Sequence, residues 1–198
     1  MAFITELDIV NACLKSMGEQ PLNSITGGSP IVTAAQESLR TAIMSEQAQG
    51  WWFNKETVTL VADTDGYFYA PADTLDLDTD LSPPWLSTRG SRLYDNRSGK
   101  YYQGTGTMDV HLIRLVPLDD LPYTAQRLVQ TAAVLDFQNS YDAAEAKVAK
   151  AQEAYATARV AANAAHIRNG GANMLTQGAA GAASYRSRRL YGRDERWS

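Results

Sequence analysis

Two histidines, one cysteine and 22 Asp and Glu side chains are the groups from which this 198-residue chain would have to build a catalytic or metal centre. Their spacing builds none. His111 lies in "DVHLIRL" and His166 in a run of alanines, and neither has Cys, His or Glu at a metal-ligand spacing such as HExxH. A helix C-terminus favours a cation, which accounts for His166 and Arg168 without a function. Cys13, being alone, excludes an internal disulfide or thiolate cluster within one chain. Asp73, Asp76, Asp78 and Asp80 in "ADTLDLDTD" resemble a calcium loop, but the central glycine and terminal bidentate Glu of an EF-hand are missing. Glu56, Asp63 and Asp65 are candidates for a hydrolase pair, which needs one proton-bearing carboxyl facing an ionised one. Spacing in sequence does not set their separation in space, and solvated turns account for them more simply. "GTGT" at 104–107 has neither the spacing nor the Lys of a phosphate loop. The expectation is a protein with no catalytic, cofactor-binding or metal-binding residue, and not an enzyme.

The elements that would position these groups can be read from periodicity. Leu7, Val10, Leu14 and Met17 recur at helical spacing, with Thr5 to cap the helix and Gly18 to end it. Ser29 and Pro30 supply the cap and first turn of a second helix, in which Val32, Ala35, Leu39 and Ile43 form a stripe; it runs to about Gln49 and Gly50 closes it. Trp51-Trp52-Phe53 reads as the anchor between this helix and a β region, with one tryptophan available to a neighbouring subunit. "TVTLVADTDGYFYA" then alternates around Asp65-Gly66 as a hairpin does, and "SRLYDNRSGKYYQ" repeats the logic around Asn96 to Gly99. "MDVHLIRLV" predicts a further strand, whereas "APADTLDLDTDLSPPW" is too rich in Asp and Pro for a central one and predicts a long loop or an edge.

Pro122 opens a third helix with Ala125, Leu128, Ala132 and Leu135 as its stripe, and Asp119-Asp120 read as its cap and dipole complement. After a break at "NSYD" a fourth helix carries a seam of Ala144, Val148, Ala151, Tyr155, Ala158, Ala162 and Ala165 to about Arg168. About 26 residues at ~1.5 Å each make it a strut of roughly 39 Å. The fold class predicted is α+β: a four-helix bundle of two N-terminal and two C-terminal helices, with an inserted antiparallel β subdomain and an extended C-terminal arm. The boundaries expected are a helical pair over 1–54, the β insert over 55–117, the second helical pair over 118–168 and the arm over 169–198.

The formal net charge of -4 conceals an asymmetry. Residues 1–167 hold 12 basic and 20 acidic side chains, while residues 168–198 hold six Arg against Asp194 and Glu195. An acidic body argues against a general nucleic-acid binder, because neutralising phosphates takes a positive docking surface. No apolar run approaches the eighteen or so residues of a membrane span, and the first twenty residues lack the pattern of a secretory signal, so folding in a cytoplasm and no membrane partner are expected. The arm, "GGANMLTQGAAGAASYRSRRLYGRDERWS", carries too little aliphatic surface to order alone. It reads as a partner-binding segment. Met174 and Leu175 are its early anchor, Arg186, Arg188, Arg189, Arg193 and Arg196 fork onto carboxylates, and Tyr185, Tyr191 and Trp197 fill pockets.

Six stretches, in order, carry a resemblance: "NACLKSMGEQPLNSI", "GWWFNKE", "YAPADTLDL", "RLYDNRSG", "VHLIRLVPLDDLP" and "NML". Over roughly residues 5 to 175 the chain resembles the tail tubular protein A family of short-tailed bacteriophages. The resemblance implies a structural virion protein: a head-to-tail adaptor, dodecameric as a ring, joining the portal (connector) protein to the tail nozzle protein, tail tubular protein B. Such a ring surrounds the channel through which DNA passes during genome ejection, without sequence-specific binding, and is assembled in the host cytoplasm. The arm would dock on the portal or a neighbouring subunit. A peptidoglycan-cleaving tail hydrolase is the alternative, since some relatives have been proposed to carry that activity, but no motif here transfers it. The chain departs from the pattern in its doubled Trp51-Trp52, in "AVLDFQNS", and in the length of its arm.

Overall fold

The computed structural model describes residues 3–25, 29–78, 82–83, 85–140 and 145–170. Among them are four α-helices and two small antiparallel sheets, a mixed α+β architecture.

Helix α1, Glu6–Met17, is held at its start by a reciprocal cap: the Thr5 hydroxyl accepts from the Asp8 N–H at 3.2 Å, and the Asp8 carboxylate accepts from the Thr5 N–H at 2.9 Å. It ends at Gly18, whose φ of 90° is the left-handed conformation that closes a helix. Helix α2, Pro30–Gln47, begins at Ser29 with proline in its first turn, although the Ser29 side chain makes no capping bond. Helix α3, Tyr123–Ser140, packs against α1, α2 and helix α4, Glu145–Asn169. This explains why the predicted stripe of Ala125, Leu128, Ala132 and Leu135 is incomplete. A helix with neighbours on several sides has no single buried face, and Val129, Ala133 and Phe137 are buried as well. The carbonyl of Pro122 accepts the first bonds of α3, from Ala125 and Gln126. Asp119 and Asp120 are therefore not its cap; with Leu118 they form a separate 3-10 turn.

The first sheet has the order β1, β6, β2: β6 (Thr107–Arg114) lies between β1 (Lys55–Val61) and β2 (Thr74–Leu77). The hairpin expected around Asp65-Gly66 is thus corrected. The turn forms, with the Asp63 N–H donating to the Tyr67 carbonyl at 2.9 Å, but β1 pairs with β6, Thr57 facing His111 and Val58 facing Val110. Tyr67 and Tyr69 make only isolated bridges, to Gln103 and Arg92. The Asp-rich segment supplies β2 as an edge, as its composition predicts. A second sheet orders β3 (Leu86–Arg89), β4 (Arg92–Asp95) and β5 (Lys100–Tyr101), with the β4–β5 turn where the sequence places it and β3 an additional strand.

Two apolar cores result. Ile9, Val10, Val32, Leu39, Val129 and Phe137 centre the helical one; Leu60, Phe68, Leu77, Leu93, Val110 and Leu112 fill the space between the sheets. Buried amides tie the two together. Gln47 exchanges both of its bonds with the Val116 backbone, at 2.9 and 2.8 Å, and Asn54 accepts from the Trp51 N–H while donating to the Gln47 and Arg114 carbonyls. Each such bond stabilises by about 1 kcal/mol net, and the buried partner left behind by its removal costs more.

Candidate interaction surfaces

The partner-binding residues expected from sequence, Met174, Leu175, Tyr185, Arg186, Arg188, Arg189, Tyr191, Arg193, Arg196 and Trp197, all lie outside the described residues. What remains testable by geometry is the list of chemical candidates in the body.

Its carboxylates serve as structural ties. Arg114 reaches both Glu56, at 2.8 Å, and Asp73, so one guanidinium joins two carboxylates and its own pKa is raised by those bonds, Asp73 first. Asp63 accepts from the N–H groups of Tyr67 and Asp65, and the Tyr67 bond holds it below the ordinary carboxylate range. A hydrolase acid needs the opposite shift. Asp78 pairs with Lys55 at 3.1 Å, and Asp80 lies outside the described residues. His111 meets Thr57 across the strands at 2.9 Å. Among the described residues no group of three His, Cys, Asp or Glu side chains is placed to hold a metal ion.

A denser cluster fixes α4 to the junction after α2. The Trp51 indole donates to the Glu46 carbonyl at 2.6 Å and packs with Leu128 and Ala162. Glu46, buried, accepts from the Tyr155 hydroxyl at 2.7 Å and pairs with Arg159 at 3.2 Å; Arg159 also reaches Gln49. Burial, and next the bond to Glu46, push the Tyr155 phenol above its ordinary range. His166 Nδ1 accepts from the Trp52 N–H at 3.1 Å, with Trp51 edge-on at 5.7 Å. Through this bond His166 clamps the end of α4 to the junction after α2. The Trp51–Trp52 pair anchors this junction, as read from sequence, and the seam of α4 from Ala151 to Ala165 faces inward.

Two features were not legible beforehand. One is a ladder of arginines on aromatic rings over the second sheet: Arg89 lies 3.5 Å from the Tyr94 ring centre, Arg97 4.0 Å from Trp85, and Arg92 4.9 Å from Tyr67. Alternation of Arg and Tyr in "RLYDNRSGKYY" is the only trace of it in the sequence, because the Tyr67 and Trp85 partners come from elsewhere. The other is the outer side of α4, where Val160 is 69% exposed and Ile167 62%, opposite the buried seam.

The polar clusters thus brace helices, and apolar and basic-aromatic side chains stand exposed beside them. The profile of the tail tubular protein family matches residues 7–172, which takes in all four helices and both sheets apart from the first residue of α1. The chain belongs to that family, whose members are structural components of the phage tail. No curated protein matches the chain.

Proposed function

We propose that the chain is the ring-forming adaptor between the portal and the tail nozzle of a short-tailed phage, encircling the DNA channel without catalysing a reaction. One observation supports self-assembly above others: α4 carries apolar side chains on two opposite sides. Ala151, Ala162 and Ala165 are buried within the chain, whereas Val160 and Ile167 face outward. Exposed Val160 and Ile167, opposite a buried seam, offer apolar surface that a second subunit would cover. In this reading the helices form the bundle that carries the ring, and the chain divides at 54, 117 and 168 into helical pair, β insert, helical pair and arm.

The arm, by its composition, docks on the portal or the adjacent subunit, gaining avidity from the many copies of a ring. Mass measurement of the purified protein, alone and with portal, tests the assembly; twelve copies are expected. A chain ending at Gly170 tests the arm. Rings that form and join the portal normally without it would refute arm docking, and salt-sensitive DNA binding lost on truncation would transfer the arm to nucleic acid.

A further inference from the structure

Besides the arginine ladder of the second sheet, a second group of positive charges lies along one side of the helices. Of the 12 Lys and Arg side chains in residues 1–167, four line a single groove of about 510 Å3: Lys15 of α1, Arg127 of α3, and Lys147 and Lys150 of α4. The groove exists because α1 and α4 both pack on α3 and scarcely on each other. Lys147 bridges them, its ammonium donating to the Met17 carbonyl at 3.4 Å. Arg127 gives one N–H to the Gln130 side chain at 2.6 Å. Among the described residues none of the four cations is paired with a carboxylate. Between them lie Ala12, Ala151 and Ala154 beside Val134, with Gln130 and with Ser16 and Thr131, whose hydroxyls donate to backbone carbonyls of their own helices.

We propose that this groove seats an acidic amphipathic helix of a different protein. Its carboxylates meet the cationic rim, and its apolar face lies on the alanine floor, where missing side-chain bulk lets a second backbone come close. Charge excludes the chain's own arm, since its five Arg against two acids carry the same sign as the rim. Among the described residues a second copy has no suitable helix: each of the four mixes both signs, with Lys15 beside Glu6 and Asp8 in α1, Arg40 between Glu37 and a buried Glu46 in α2, Arg127 with Asp136 in α3, and Lys147, Lys150 and Arg159 with Glu145 and Glu153 in α4. Nucleic acid fits less well, because methyl groups on the floor satisfy no phosphate oxygen whereas they do cover leucine-like side chains. The groove uses other residues of α4 than the exposed Val160 and Ile167, so this inference and the adaptor reading fail independently.

The test is fluorescence anisotropy on the full chain at low salt, with a labelled synthetic helix carrying Glu along one face and Leu along the other. The same helix with Lys in place of Glu, and a labelled DNA duplex, are the comparators. The Glu helix is expected to bind saturably and the Lys helix not at all. Lys147→Glu with Lys150→Glu should weaken binding about tenfold or more. Ala154→Trp, which fills the groove and keeps its charges, should weaken it by a similar factor. Circular dichroism and thermal melting verify each fold, and Lys15→Glu with Arg127→Glu replaces any pair that fails. No saturable binding of the Glu helix overturns the proposal. So does binding indifferent to Ala154→Trp, which would reveal a bare patch of charge. Tighter binding of DNA, lost with the same charge reversals, would make the site one for nucleic acid.

Discussion

At the scale of single residues the backbone and the buried groups make separate demands. Gly50 has a φ of +73°, and a Cβ there would stand 2.7 Å from Lys55 Cε and 2.9 Å from Ile113 Cδ1. Gly50→Ala should therefore cost about 1–3 kcal/mol, in left-handed strain plus crowding, seen as a lower midpoint in urea. At Gly18, with φ of +90° and open space around the position, the same change should cost about 1–2 kcal/mol, from left-handed strain alone. Cys13 is buried, and desolvation, with the nearby Asp136 charge second, pushes its thiol up to about 12. A thiol reagent at neutral pH should label it only as fast as the protein opens, and at once in denaturant. Asp8 is held below the ordinary carboxylate range by the Thr5 backbone bond first and its hydroxyl second. A depressed folded pKa stabilises above the unfolded value of about 3.9 and is lost as pH falls through the folded one. Loss of α1 helicity below about pH 4 should thus be smaller in Asp8→Asn, which keeps an oxygen acceptor but does not titrate.

At the scale of elements the decisive contact is the one that brings α4 back to the end of α2. Its members are polar, so its stability depends on completeness. Arg159→Leu leaves the Glu46 carboxylate, only 6% exposed as a residue, with the Tyr155 hydroxyl as its side-chain partner among the described residues. A loss of about 1–3 kcal/mol is expected in urea unfolding, and Glu46→Gln in the same chain should recover part of it, because the uncompensated charge is then gone. Failure of the second change to recover anything would mean that Arg159 acts through packing alone. The β elements show how limited local pattern is. Asp65-Gly66 turns the chain as its composition requires, yet the strand before it pairs with β6, some fifty residues on. Turn chemistry specifies a reversal; the partner of a strand is decided by which apolar faces close the core, here Leu60 with Val110 and Leu112.

For the whole molecule the contrast between an acidic body and localised basic or apolar surfaces is the property that bears on assembly. Val160→Lys with Ile167→Lys changes only exposed positions, so the melting temperature of a single copy should hardly move. On the adaptor reading the same pair should shift the particle mass toward smaller species, measured by light scattering across concentration. An unchanged mass distribution would remove α4 from the subunit interface.

Local chemistry alone determined a good deal of this protein. The caps of α1, the inward seam of α4, the edge character of β2 and the β4–β5 turn follow from interactions within a few residues, and periodicity reports such interactions directly. The charge asymmetry is likewise a property of the chain before it folds. Only the tertiary structure decided that β1 joins β6, that α3 is enclosed on several sides, that His166 accepts from Trp52, and that Lys15, Arg127, Lys147 and Lys150 line one groove. Those facts depend on residues up to more than a hundred positions apart meeting in space, and packing, not spacing along the chain, sets which of them meet.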